Sequence, residues 1–145
     1  MKIQTLLFLI LFGSKCYGQI DTNLIYQKAD YIIRLIENKN IDSLLINSTD
    51  SIRCLPCKEV GNKKYISATS FFTQRLQENF SPKLISKLKN AKKMIIKQSE
   101  PYPAYVVFYK IINKGEIAPT HEGVDFGIWL NIDKNLKFTA IETIP

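Results

Sequence analysis

Val124-Asp125-Phe126-Gly127-Ile128-Trp129-Leu130-Asn131-Ile132 alternates strictly. Val124, Phe126, Ile128, Leu130 and Ile132 share one face, and Asp125, Gly127, Trp129 and Asn131 share the other. A period of two with one apolar face predicts a half-buried β-strand. Asp133-Lys134-Asn135 then reads as a tight hairpin loop, because Asp and Asn tolerate turn geometry. Leu136 to Thr143 resumes as a second strand with Leu136, Phe138 and Ala140 on one side. Upstream, Ala104 to Ile112 is rich in β-branched and aromatic residues and lacks Pro, which suits a central strand. Lys93 to Gln98 is a shorter fourth candidate that ends before Pro101 and Pro103. Strands in succession with short connections predict an antiparallel meander.

Helical patterns fill the chain before this sheet. Asp21-Thr22 can cap a first helix whose Ile25, Ala29, Ile32, Ile33 and Ile36 form one stripe. Asn38-Lys39-Asn40 ends it, and Asn40 is placed to cap a short second helix, Ile41 to Ile46. Ser67 caps a third, with Phe72, Leu76 and Phe80 one turn apart, and Ser81-Pro82 opens a fourth with Leu84, Ile85 and Leu88 on its buried side. Asp50 to Asn62 reads as irregular. Asn47-Ser48-Thr49 matches the N-glycosylation acceptor pattern, which would mark a surface loop in a eukaryotic secreted protein and carries no meaning in a bacterial one. Helices first and strands last predict a segregated α+β fold: N-terminal helices packed on a curved, mainly antiparallel C-terminal sheet.

The 145-residue chain opens Met1-Lys2, followed by an apolar run from Ile3 to Phe12 and then Gly13-Ser14-Lys15-Cys16-Tyr17-Gly18. A basic start, a short apolar run and small residues three and one before a cut describe a secretory signal peptide, residues 1–18. Cleavage after Gly18 leaves Gln19–Pro145 as one domain, secreted or periplasmic. Acylation of Cys16 as a lipoprotein is the competing reading, and Lys15 fits that pattern poorly. The leader is too short to span a membrane, and no later stretch is long and apolar enough. The formal net charge of +7 falls by two when Lys2 and Lys15 leave. Lys83, Lys87, Lys89, Lys92, Lys93 and Lys97 form a basic cluster that reads as a solvated helix face or, alternatively, as a surface for an anionic partner. Export and the lack of a binding motif argue against nucleic acid.

Few residues carry chemistry. Cys54 and Cys57 default to a disulfide in an oxidising compartment. A thiol–disulfide redox site is the alternative, but Lys58 to Lys64, which follows, has no apolar helical stripe. Two cysteines and one histidine fall short of a tetrahedral zinc set, so no metal and no cofactor is implied. His121 lies in the loop before Val124; it is either an exposed loop residue or a base oriented by Glu122 or Asp125. No nucleophile elbow, phosphate loop or His-Glu-x-x-His pattern appears. Trp129 among small polar groups could line a cavity, and Tyr105 and Tyr109 share a strand face that could turn hydroxyls into it. The reading is therefore a binding domain without catalysis, for a small apolar ligand or a protein partner, with Trp129, Tyr105, Tyr109 and Asp125 as the ligand-binding candidates. Nothing in the sequence speaks to oligomeric state.

The order of helix, short helix, loop, two helices and closing strands Val124–Ile132 and Leu136–Thr143, with their Asp-Lys-Asn turn, resembles the nuclear transport factor 2-like superfamily, a cystatin-like α+β cone. The resemblance covers most of Asp21 to Thr143. It implies a sheet wrapped on the helices and an apolar pocket at the open end of the cone. Some members, of the ketosteroid isomerase and dehydratase kinds, transfer protons there with an Asp, Tyr or His; here that alternative falls on Asp125 or His121. The chain also resembles small secreted bacterial proteins with a Gln directly after the cleavage site.

Overall fold

A pleated strand sends successive side chains to opposite faces, so a strand buried on both faces must lie inside a sheet. Val124–Asn131 is such a strand: Phe126 to Leu130 are buried without a break. The computed structural model describes residues 21–57 and 65–145; the signal-peptide reading and Lys58 to Lys64 lie outside them. Helices α1 (Thr22–Glu37), α2 (Ile41–Ile46), α3 (68–79) and α4 (Pro82–Asn90) accompany six strands. These are β1 (Ser48–Cys54), β2 (Tyr65–Ser67), β3 (Lys93–Gln98), β4 (Ala104–Ile112), β5 (Val124–Asn131) and β6 (Phe138–Ile144). The strands form one open sheet in the order β2-β1-β6-β5-β4-β3. The fold is α+β, with a mostly antiparallel sheet and helices mainly N-terminal.

Each helix starts on a side-chain cap that satisfies a free N–H of its first turn. Asp21 accepts from Asn23 N at 2.9 Å, Asn40 from Ser43 N at 3.1 Å, Ser67 from Ser70 N at 3.2 Å and Ser81 from Leu84 N at 3.2 Å. Pro82 takes a first-turn position where no donor is lost. The α1 stripe of Ile25, Ala29, Ile32, Ile33 and Ile36 is buried throughout. In α3, residues Phe71–Arg75 form a π turn. Both Phe71 and Phe72 are buried there, and their rings lie 6.2 Å and 6.0 Å from Phe138 of β6.

Three sequence expectations change. First, Ser48–Cys54 is a strand, not an irregular or loop segment: β1 joins the sheet parallel to β6 and antiparallel to β2. Its inward residues are Ser48, Ile52 and Cys54, and Ser48 Oγ donates to Leu44 O at 2.6 Å. Asn47 is no free acceptor in a surface loop, because its Oδ1 takes Lys28 Nζ at 2.6 Å and its Nδ2 donates to Ser43 O at 2.8 Å. Second, the antiparallel meander holds for β3 to β6 but gains a parallel neighbour from far earlier in the chain, Arg53 lying beside Ala140 and Cys54 beside Ile141, each 87 residues apart.

Third, the register of the closing hairpin shifts. Trp129 pairs with Ala140 but Leu130 pairs with Phe138, so Thr139 is an extra residue, a β-bulge. Phe138 and Ala140, predicted on one side, point to opposite faces: Phe138 packs under the helices and Ala140 on the outer face. The connection is also longer than Asp133-Lys134-Asn135. Asp133 Oδ1 accepts from Asn135 N and Leu136 N, Asn131 Oδ1 accepts from Lys137 N, and Leu136 is buried with φ +47°.

Phe138→Ala removes the ring on which Phe71 and Phe72 meet. It is expected to cost about 3–5 kcal/mol of stability, read from the shift in urea unfolding; a loss under about 1 kcal/mol would contradict this packing.

Candidate ligand sites

The strand pleat separates the residues predicted to share a site. Tyr105 and Tyr109 face the helices, whereas Trp129 and Asp125 face outward, since Val106, not Tyr105, lies beside Trp129. The four candidates therefore cannot line one cavity. Between α1 and the sheet, Ile32, Val107, Tyr109 and Ile128 are all fully buried and fill the space. Tyr109 is held there by charge: its hydroxyl donates to Asp30 Oδ1 at 3.0 Å, and Lys93 Nζ donates to Asp30 Oδ2 at 2.6 Å. Burial, then the negative charge of Asp30, holds the Tyr109 phenol well above its ordinary value. This is a proton donor locked in place, not a hydroxyl aimed at a ligand.

The two candidate bases are engaged in structure. Asp125 pairs with Lys110 across the β4–β5 ladder at 2.9 Å. His121 accepts the Gly123 N–H on Nδ1 at 3.0 Å and so closes the turn that leads into β5. Glu122 pairs with Lys114 instead of the imidazole. Cys54 and Cys57 sit at bonding distance with their Cα atoms 5.4 Å apart, and Asn79 Nδ2 donates to Cys57 Sγ at 3.4 Å. Within the basic cluster Lys87, Lys89 and Lys93 pair with Glu116, Glu37 and Asp30. No group of His, Cys, Asp and Glu able to hold a metal ion occurs among the described residues, and no helix among them is long and apolar enough to cross a membrane.

Two concave regions stand out. One is a groove of about 590 Å³ in the helical layer, between the end of α1, the end of α3 and the start of α4. Ile36, Leu76, Phe80 and Ile85 form its apolar floor, and Glu37 and Lys89, paired at 2.9 Å, stand at its rim. Capping positions the groove: Phe80 ends α3, and Ser81 and Pro82 start α4 directly after it, so Phe80 sits at the junction of the two helices. The apolar residues were legible as helical stripes, but the gap between the stripes was not.

The other region lies on the outer face of the sheet. Side by side across it run Tyr65, Arg53, Ala140, Trp129, Val106 and Ile96, one from each strand in sheet order. The small Ala140 leaves room for the Arg53 guanidinium to lie 4.8 Å from the Trp129 ring, with Tyr102 4.5 Å away. Trp129 Nε1 donates to Glu142 Oε1 at 2.8 Å. Gly127, next to Glu142 on the ladder, makes this possible: a Cβ there would stand 2.9 Å from Glu142 Cγ and 3.0 Å from Phe108 Cε1. Sequence reasoning found Trp129 but missed Arg53 and Tyr102. The one signal was the alternation of Arg53 with Ile52 and Cys54, too short to read as a strand.

Comparison with protein-family models, with curated proteins and with solved structures finds no match to this chain.

Burial raises the Glu142 carboxyl above the ordinary glutamate value, against the opposing pull of the Trp129 N–H and the Arg53 charge. The folded chain thus holds this proton more tightly than the unfolded chain. The group's contribution to stability is full below the ordinary value, about 4.3, and is lost as pH rises through the raised one. Glu142→Gln keeps an acceptor for Trp129 and carries no charge. Its unfolding free energy relative to the wild type is expected to rise as pH increases from about 4 to about 7; urea titrations at several pH values check this, and a pH-independent difference would refute it.

Proposed function

We propose that this protein is an exported binding domain, secreted or periplasmic, that takes a small apolar ligand in the helical groove and performs no catalysis. The observation that carries the reading is the groove itself. Its volume of about 590 Å³ is that of a small-molecule site, and an apolar floor with a few charged groups at the rim is the composition such sites have. Export rests on the basic, apolar and small-residue pattern of residues 1–18. The non-catalytic reading is supported by the residues available. Asp125 is neutralised by Lys110, His121 is spent on a turn, and neither lines the groove.

The Glu37–Lys89 pair gives the site its selectivity. Both side chains are partly exposed, so the pair itself contributes little to stability. A neutral ligand passes it without breaking the pair, whereas a charged ligand must compete with one partner.

n-Octanol serves as the probe. In a titration followed by amide NMR, shifts are expected to centre on Ile36, Leu76, Phe80 and Ile85. Ser86→Trp, which places an indole across the exposed wall of the groove, is expected to weaken binding about tenfold or more, a loss of about 1.4 kcal/mol. Shifts confined to the outer face of the sheet, or none that saturate, would end this reading.

A further inference from the structure

A guanidinium normally has partners for its donors when it is buried. Arg53 does not. Its Nε and Nη1 are both shut off from water and have no hydrogen-bond partner among the described residues. No described acidic residue forms an ion pair with it, and the nearby Glu142 gives its Oε1 to the Trp129 indole. What surrounds Arg53 is aromatic: Tyr102 and Trp129 at 4.5 Å and 4.8 Å. Stacking of this kind holds the cation in position but leaves the in-plane N–H groups of Nε and Nη1 unanswered.

The same residues border a depression of about 220 Å³, lined by Arg53, Tyr65, Tyr102, Trp129, Asn131 and Thr139. Thr139 reaches it because it is the bulge residue of β6. Tyr102 is 45% exposed and sits on the turn between β3 and β4, with its ring in edge contact with Tyr65 at 6.3 Å. Tyr102 is the more exposed of the two rings beside the guanidinium, 45% against 4% for Trp129, so an incoming group approaches from its side. With Tyr102 and Trp129 both against the guanidinium, and Trp129 fixed by its hydrogen bond to Glu142, the in-plane edge is what remains for an incoming group. A planar anion fits that approach with two parallel hydrogen bonds, one from Nη2 and one from Nε or Nη1, which lie on different edges, while the oxygens of a tetrahedral anion that lie out of the plane meet the ring walls.

We propose that Arg53, Tyr102 and Trp129 form a binding site for a small carboxylic acid with a flat or apolar body, the carboxylate taking the in-plane donors of Arg53 and the body lying against the Trp129 indole. The site is separate from the helical groove, on the opposite face of the sheet, and differs from it in charge.

Trp129 is the single tryptophan of the chain, so its fluorescence reports on this site and not on the groove. The probes are phenylacetate, its neutral isostere phenylacetamide, and phenylphosphonate. Phenylacetate is expected to give a saturable change, with phenylacetamide and phenylphosphonate each bound about tenfold more weakly. Arg53→Met, which keeps the apolar stem, is expected to abolish the preference for the acid, and Arg53→Lys to weaken it about tenfold because an ammonium cannot offer a planar fork. Circular dichroism of each variant verifies folding, and the three-ligand comparison on the wild type stands without the variants. Equal binding of acid and amide, tighter binding of the phosphonate, or no saturable response to phenylacetate would each overturn the proposal. n-Octanol binding in the groove is read separately, so it survives any of these outcomes.

Discussion

Strand β5 has neighbours on both edges and cover on both faces, and the rest of the molecule accommodates that. In a pleated strand the parity of one residue sets the parity of all. Phe126, Ile128 and Leu130 face the helices, so α1 must present an unbroken stripe to meet them, and Ile25 to Ile36 do so. Trp129 then has no choice but to face outward. An indole of this size cannot be left in water at the centre of a sheet without cost. The outer face is built around it: Val106 and Ala140 beside it, Glu142 on its N–H, Arg53 near its ring.

The bulge at Thr139 is what allows both faces to be satisfied at once. Without the extra residue, Phe138 and Ala140 would share a side, and either the phenylalanine cluster of α3 would lose its partner or a large ring would crowd the outer row. With it, Phe138 and Ile141 both turn inward and the small Ala140 turns outward. That methyl group is the gap over which Arg53, from the parallel neighbour β1, approaches Trp129. A core-packing requirement on one face thus creates a recess on the other.

The polar groups divide in the same way. Under the helices, Asp30, Tyr109 and Lys93 answer one another, which ties α1 to β3 and β4 and rigidifies the interface. On the outer face, Glu142 and Trp129 are paired, but two donors of Arg53 have no partner among the described residues. A satisfied network is explained by stability alone. An unsatisfied cation between aromatic rings is not, since each buried unpaired donor costs about 1–3 kcal/mol. This contrast, more than the size of either cavity, distinguishes the two faces chemically.

Local pattern determined a large part of this protein. The caps at Asp21, Asn40, Ser67 and Ser81, the stripe of α1, the 72-76-80 stripe of α3 and the cores of β3 to β6 are all set by side chains within a few residues of one another. Such features depend on backbone donors and a periodicity that sequence displays directly. Tertiary structure alone decided what joins across distance. Ser48–Cys54 carries only two closely spaced apolar residues and becomes a strand because β6 offers it a free edge. The bulge at Thr139 answers the space between two faces, which no periodicity records. Trp129 and the two tyrosines were separated by pairing register, and Trp129 was joined to Arg53 and Tyr102 by the same means. Sequence spacing measures separation along a chain, whereas a site is made by separation across a sheet.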